Sequence, residues 1–199
     1  MTEATALATE TTERIQQGEW TYEDYLNLPD DGHRYEIIEG VLYMSNAPDI
    51  DHQFTVVKLV SNMENFVTSN QLGYVLTAPF EVHIAENTRP VQPDVLFIAA
   101  EKWPARSAKY FEGAPDLIVE VLSPSTRSKD KTVKFRAYEK AQVPEYWLAD
   151  PKARMVEIYS LENQEYVLLG DFMGDEVIES KVLVGLKITA DSLVNKPYT

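Results

Sequence analysis

Between Asp51 and Asn70 the apolar residues Phe54, Val57, Leu59, Val60, Met63, Phe66 and Val67 return at helical intervals. A stripe of that period is the buried face of an amphipathic helix, and it predicts the first long helix of the chain. Downstream the period changes. The stretches "GYVLTAPFEVHIA" (73–85), "QPDVLFIAA" (92–100) and "DLIVEVLS" (116–123) are short, β-branched and aromatic, and predict strands. Residues 128–141 return to helical spacing, with Val133, Ala137 and Ala141 on one side, and "PEYWLAD" (144–150) predicts a further strand. Ahead of this core, "TYEDYLNL" (21–28) opens with Thr21 and Asp24 in capping-box spacing and predicts a short helix. "HRYEIIEGVLYMS" predicts two short strands turning at Glu39-Gly40, while "RMVEIYSLENQEYVLLGDF" and "VLVGLKI" alternate in hairpin fashion near the end. The core order is α-β-β-β-α-β, an α/β fold with β-hairpin extensions. Residues 1–18, polar and rich in Thr and Glu, predict a mobile tail. Residues 19–199 predict a single domain, with its core at about 51–150 and a β-rich extension at 151–199.

One position breaks the pattern. Glu120 sits among Leu117, Ile118, Val119, Val121 and Leu122, a run typical of a strand covered on both faces. An unpaired buried carboxylate is too costly to keep, so Glu120 needs a proton, a cation or a metal. Asp94 opens the preceding strand directly after a proline. If the two strands are neighbours, their backbones run about 4.8 Å apart and the carboxylates can share a cation. Mg²⁺ (or Mn²⁺) suits such a pair, because it takes one or two carboxylates plus waters and substrate phosphates. The plainer alternative is that Asp94 caps a turn and Glu120 pairs with a buried Arg or Lys. Lys134 is the cation best placed to turn towards the sheet, since Asp130, Lys134 and Tyr138 fall in one i, i+4 row. An ordinary Asp130–Lys134 surface pair accounts for the same spacing.

Charge narrows the partners. The chain carries a formal charge of −14 and lacks cysteine, which excludes disulfides, thiolate zinc sites and cysteine nucleophiles. So acidic a chain is not drawn non-specifically to nucleic acid or anionic membrane. Yet six of its 18 basic residues fall between Arg127 and Lys140, directly after the strand that holds Glu120. They form either a solvated helix face or a local phosphate-binding patch. No apolar run approaches the length of a membrane span. The N-terminus has no basic leader or apolar core, and a cytoplasmic protein is the simplest expectation. His33, His52 and His83 lack zinc spacing, "SPST" (123–126) is not a nucleophile elbow, and no glycine-rich phosphate loop occurs.

"QPDVLF", "DLIVEVLSPST", "KFRAYEKAQVPEYWLADP" and "RYEIIEG" together resemble the Uma family of putative restriction endonucleases, in the PD-(D/E)XK nuclease superfamily. The resemblance runs from about Tyr22 to Leu161. It implies a restriction-endonuclease-like fold, with a mixed central sheet flanked by helices, and metal-dependent hydrolysis of phosphodiester bonds. Asp94 would be the aspartate of the PD element and Glu120 the acid of the (D/E)XK element. The motif lysine is missing, because Leu122 stands there; relatives supply it from the adjacent helix, which here points to Lys134. Glu36 resembles an additional acid that superfamily members place near the metal, whereas Glu39 reads as a turn residue. His52, at the start of the long helix, would hydrogen-bond near the site or to phosphate.

Two functions follow. The first is a Mg²⁺-dependent endonuclease acting on nucleic acid, with DNA the expected polymer. Its expected catalytic set is Asp94, Glu120, Lys134 and Glu36, with the metal on Asp94 and Glu120. Arg127, Lys129, Lys131 and His52 are then the expected substrate contacts. The second is a catalytically inactive binding or assembly protein on the same fold, favoured by the acidic balance and by Leu122. A small-phosphoester hydrolase is a third alternative. The aromatic segments "PEYWLAD" and "VEIYSL" read as core strand and hairpin, or as the contact of a homodimer.

Overall fold

The computed structural model describes residues 15–103 and 108–194. Most of the expected tail, residues 1–14, lies outside the described residues. Helix α1 (Tyr22–Leu26) starts at a reciprocal capping box: the Asp24 main-chain N–H donates to Thr21 Oγ1 at 3.2 Å, and the Thr21 N–H donates to Asp24 Oδ2 at 2.9 Å. Strands β1 (Arg34–Ile38) and β2 (Val41–Ser45) pair antiparallel around Glu39 and Gly40, both at positive φ. A Cβ at Gly40 would lie 2.2 Å from the Gly18 carbonyl oxygen, so glycine alone fits this turn.

Helix α2 (Ile50–Ser69) is capped by Asp49, whose side chain accepts the His52 main-chain N–H at 2.9 Å. Strands β3 (Gly73–Thr77), β4 (Glu81–His83), β5 (Val95–Ala99), β6 (Tyr110–Glu112) and β7 (Leu117–Val121) follow. A π-helical run, Lys129–Lys134, then passes directly into α3 (Phe135–Lys140). Strands β8 (Glu145–Asp150), β9 (Met155–Glu162) and β10 (Glu165–Met173) and helix α4 (Ala190–Val194) complete the described chain.

The main sheet has the order β10-β9-β8-β7-β5-β3. Its neighbours are antiparallel except for β7 and β8, and a parallel pair needs a crossover, here the π-run and α3. The α2-β3-β5-β7-α3-β8 order is the expected α-β-β-β-α-β core around a mixed sheet, with β9 and β10 as the hairpin extension. Alternation divides the strands cleanly. Phe97, Val119 and Trp147 face Leu59, Met63 and Val67 of α2, whereas Leu96, Ile118 and Leu148 face Tyr138 and Val143 on the other side. Full burial of such side chains stabilises by about 1.5–3 kcal/mol each.

Three local expectations are corrected. Residues 73–85 are two strands in different sheets, because the run is interrupted at Pro79, which has no N–H to donate. The helix expected from 128 opens as π rather than α. "VLVGLKI" forms no strand: Leu183, Leu186 and Ile188 are buried from turns and extended chain, so packing rather than pairing explains their alternation. Among the described residues, no helix is long and apolar enough to cross a membrane.

Candidate functional site

Register brings the two sequence-distant acids together. Val95 on β5 pairs with Val119 on β7, so the next position outward sets Asp94 across from Glu120. Side chains directly opposite on an antiparallel pair have Cβ atoms about 4.5–5.5 Å apart. Alternation puts both on the face of Leu96 and Ile118, under the π-run and α3. The strands also clamp Asp94 directly, since the Val121 main-chain N–H donates to its Oδ2 at 2.9 Å.

Helices and the β1–β2 hairpin then converge on the pair. His52 Nε2, from the first turn of α2, lies 2.9 Å from Asp94 Oδ2, and Arg34 Nη1 from β1 lies 3.2 Å from Oδ1. Glu120 Oε1 accepts from Lys134 Nζ and from the Tyr138 hydroxyl, both at 2.8 Å. Lys134 Nζ also lies 2.9 Å from Glu36 Oε1, which accepts the Gln92 main-chain N–H as well. Lys129 Nζ donates to the other oxygen of Glu36 at 2.9 Å and to Ser45 Oγ at 3.1 Å. The π-run explains how one helix delivers both lysines. Its hydrogen bonds join residues five apart, so Lys129 and Lys134 stack on one side, which an α-helix would not allow.

The electrostatics are divided unequally. Burial would raise Glu36, but Lys134, Lys129 and Arg34 outweigh it and hold the carboxyl at about 2. Burial opposes ionisation of Asp94 too, and the His52 hydrogen bond with the charges of His52, Arg34 and Lys134 brings it below the usual carboxylate range. Glu120 goes the other way. Burial pushes it up to about 8, against the pull of Lys134, and repulsion from Asp94, Asp130 and Glu36 adds to the rise. Lys134 itself holds its proton more tightly than an ordinary lysine, because Glu120, Glu36 and Asp130 outweigh its burial. Four acids therefore face three permanent cations and His52, and the strain of that crowding falls on Glu120.

The other expected contacts are engaged with different acids. Arg127 pairs with Asp150 and Lys131 with Glu157, on the strands β8 and β9 beyond Glu120. Lys129, expected on the phosphate-facing surface, is instead nearly buried against Glu36. Glu39 is at the exposed turn, paired with Lys140. Arg34, Tyr138 and Gln92 join the site without having been singled out in the sequence. Tyr138 had a signal, since it shares the i, i+4 row of Lys134; Arg34 had the weaker one of lying two positions from Glu36 on the same strand. A cleft of about 1040 Å³ opens over this end of the sheet, and Asp94, Arg34, His52, Gln92, Val56 and Pro79 are among the residues that line it.

The residues fit a hard divalent cation by donor chemistry. Two carboxylates on adjacent strands are the complement that Mg²⁺ takes, leaving room for waters and phosphate oxygens. Both hydrogen bonds to Glu120 fall on Oε1, and among the described residues Oε2 accepts none. Among the described residues, no group of three or more His, Cys, Asp or Glu side chains forms a self-sufficient cage, so any ion would depend on ligands from water or substrate.

Comparison with known proteins gives the same architecture a family. The Uma2 family, described as "putative restriction endonuclease", matches residues 22–191 of this chain. The chain belongs to the Uma2 family. The match spans α1 through the start of α4, and with it every residue of the site. This Uma2 protein is 23% identical over 171 residues to the uncharacterized protein slr1290 of Synechocystis sp., covering 85% of this chain and 88% of that one. Sll1609 of the same organism is 32% identical over 102 residues, covering 51% of this chain and 58% of its own length. The crystal structure of a putative nuclease belonging to DUF820 from Anabaena variabilis superposes with a TM-score of 0.75 at 22% identity, covering 87% of this chain and 97% of that one. At that identity the likeness concerns the fold. Family and fold together make the chain nuclease-like.

Proposed function

We propose that this Uma2 protein is a divalent-metal-dependent endonuclease that hydrolyses phosphodiester bonds in nucleic acid, with DNA as the expected substrate. The observation that carries this reading is the cross-strand placement of Asp94 and Glu120 with Lys134 bonded to the second acid. Crowded buried acids whose proton affinities are pushed in opposite directions are what functional sites gather. Asp94 and Glu120 would hold the ion, which when bound supplies Lewis-acid activation of water and neutralises charge on the phosphate. Glu36 anchors Lys134 from the far side, so the ammonium is fixed beside Glu120, ready to orient the attacking water or to stabilise negative charge developing on phosphorus. Lys134 thereby takes the place that Leu122 vacates in the motif. Tyr138, its hydroxyl proton held well above the ordinary tyrosine range by burial and Glu120, keeps donating to that carboxyl group.

The test is cleavage of supercoiled, linear and single-stranded DNA and of RNA with Mg²⁺ or Mn²⁺. Asp94→Asn and Glu120→Gln should each reduce cleavage to background while the circular dichroism spectrum is kept. Full cleavage by Glu120→Gln would end the assignment. One observation favours the alternative of an inactive nuclease-like binding protein: each acid already has a protein cation, Arg34 or Lys134, within 3.2 Å. Absence of calorimetric heat with Mg²⁺ or Mn²⁺ at millimolar concentration would favour that alternative.

A further inference from the structure

The two oxygens of Asp94 are held in different ways. Oδ2 is bonded by groups fixed in place, the Val121 main-chain N–H within the sheet and the buried His52 ring. Among the described residues, Oδ1 accepts only from Arg34, at 3.2 Å, the longest of the polar contacts to the pair. The Arg34 side chain is also the most exposed cation of the cluster, at 26% against 12% for Lys129 and 1% for Lys134. It lines the cleft. Among the described residues lining that cleft there is no lysine and no other arginine, so a phosphate entering it meets Arg34 as the one permanent cation. A guanidinium carries five N–H donors in a planar fork suited to phosphate, and only one is used on Asp94.

We propose that Arg34 is an exchangeable counter-ion and a substrate contact: it covers Asp94 Oδ1 in the free chain and turns to the phosphate when nucleic acid enters the cleft, leaving Oδ1 for the divalent cation. This rests on the metal-dependent reading above and adds a consequence to it. Metal and nucleic acid must then bind with positive coupling, each tightening the other by the same factor. The free chain is spared an uncompensated acid in its interior, since Arg34 and the metal take turns at one oxygen.

The experiment titrates Mn²⁺ by the loss of its free-ion electron paramagnetic resonance signal, with and without a single-stranded phosphorothioate 12-mer. Asp94→Asn protein gives the background for ion taken up by the oligonucleotide. In the unaltered chain the oligonucleotide should tighten Mn²⁺ by about 5- to 150-fold, the usual range of a coupling between sites. Arg34→Met should bind Mn²⁺ more tightly in the absence of oligonucleotide and lose most of the coupling, whereas Arg34→Lys should retain part of it. Thermal melts of both variants separate this effect from loss of folding. Equal Mn²⁺ affinity with and without oligonucleotide in the unaltered chain, or full coupling in Arg34→Met, would overturn the inference while leaving the metal reading intact. No Mn²⁺ binding under either condition would overturn both.

Discussion

Glu120 and Glu145 are both fully buried glutamates on adjacent parallel strands, β7 and β8, yet they are held in opposite ways. Glu145 faces the α2 side of the sheet. Its Oε1 accepts from Trp147 Nε1 at 2.7 Å and Ser180 Oγ at 2.6 Å, and its Oε2 accepts the main-chain N–H groups of Lys181 and Val182 at 2.7 and 3.1 Å. Four neutral donors, two on each oxygen, satisfy it, and the three from Ser180, Lys181 and Val182 pin the segment after β10 to the sheet. Glu120 faces the other side, takes both its bonds on one oxygen, and shares its surroundings with Asp94, Asp130 and Glu36. A buried acid satisfied all round by neutral donors is a clasp. One that depends on a lysine and is crowded by other acids is what the proposed site requires.

The difference can be tested by breaking each arrangement. Lys134→Met should have the largest effect on stability, about 3–5 kcal/mol by urea denaturation above about pH 8, where Glu120 is ionised, because it leaves Glu36 and Glu120 buried without their shared cation. Adding Glu120→Gln to that variant should recover part of the loss; an unchanged urea midpoint in Lys134→Met would show that Glu120 does not depend on the lysine.

The pH dependence comes next. The folded chain holds the Glu120 proton up to about pH 8, against an ordinary value of 4.5. Its contribution is therefore complete below about 4.5 and is lost as pH rises through 8. Glu36, held at about 2, does the reverse: its contribution is present above 4.5 and is lost as pH falls towards 2. Between pH 5 and 8.5 the Glu120 effect should make the unaltered chain less stable by a few kcal/mol, on the order set by linkage. Glu120→Gln should flatten that slope, and a slope unchanged by the substitution would contradict the strain assigned to this carboxyl.

Glu145→Gln should have the smallest effect. Its amide turns N–H groups towards donors in the clasp, at a cost of about 1–3 kcal/mol. Mn²⁺ binding and cleavage should be as in the unaltered chain. Loss of metal binding in this variant would erase the distinction between clasp and site.

Much of the fold was legible because period reports burial. The stripe on α2 and the apolar runs of β5, β7 and β8 each announce the face or faces they cover, and their order is that of the core. Glu120 was legible for the same reason, as an acid where the pattern demands an apolar side chain. Arg34 and Gln92 were not, since their place depends on how the β1–β2 hairpin and the chain before β5 settle over the sheet. The basic run after β7 was legible only in part. Lys134 turns to the sheet, as its i, i+4 row suggested, whereas Lys129, expected among the substrate contacts, is held against Glu36.

The chain's local chemistry thus fixed where helices and strands form, and marked a carboxylate that could not stand alone in its strand. Which groups meet it was decided only in three dimensions. Register set Asp94 opposite Glu120, the i→i+5 bonding of the π-run aligned two lysines on Glu36, and Arg34 came to rest on Asp94. Side-chain period depends on neighbours within a few residues, whereas ion pairing depends on which of many charges the packed backbone brings within about 3 Å, and no local pattern encodes that choice.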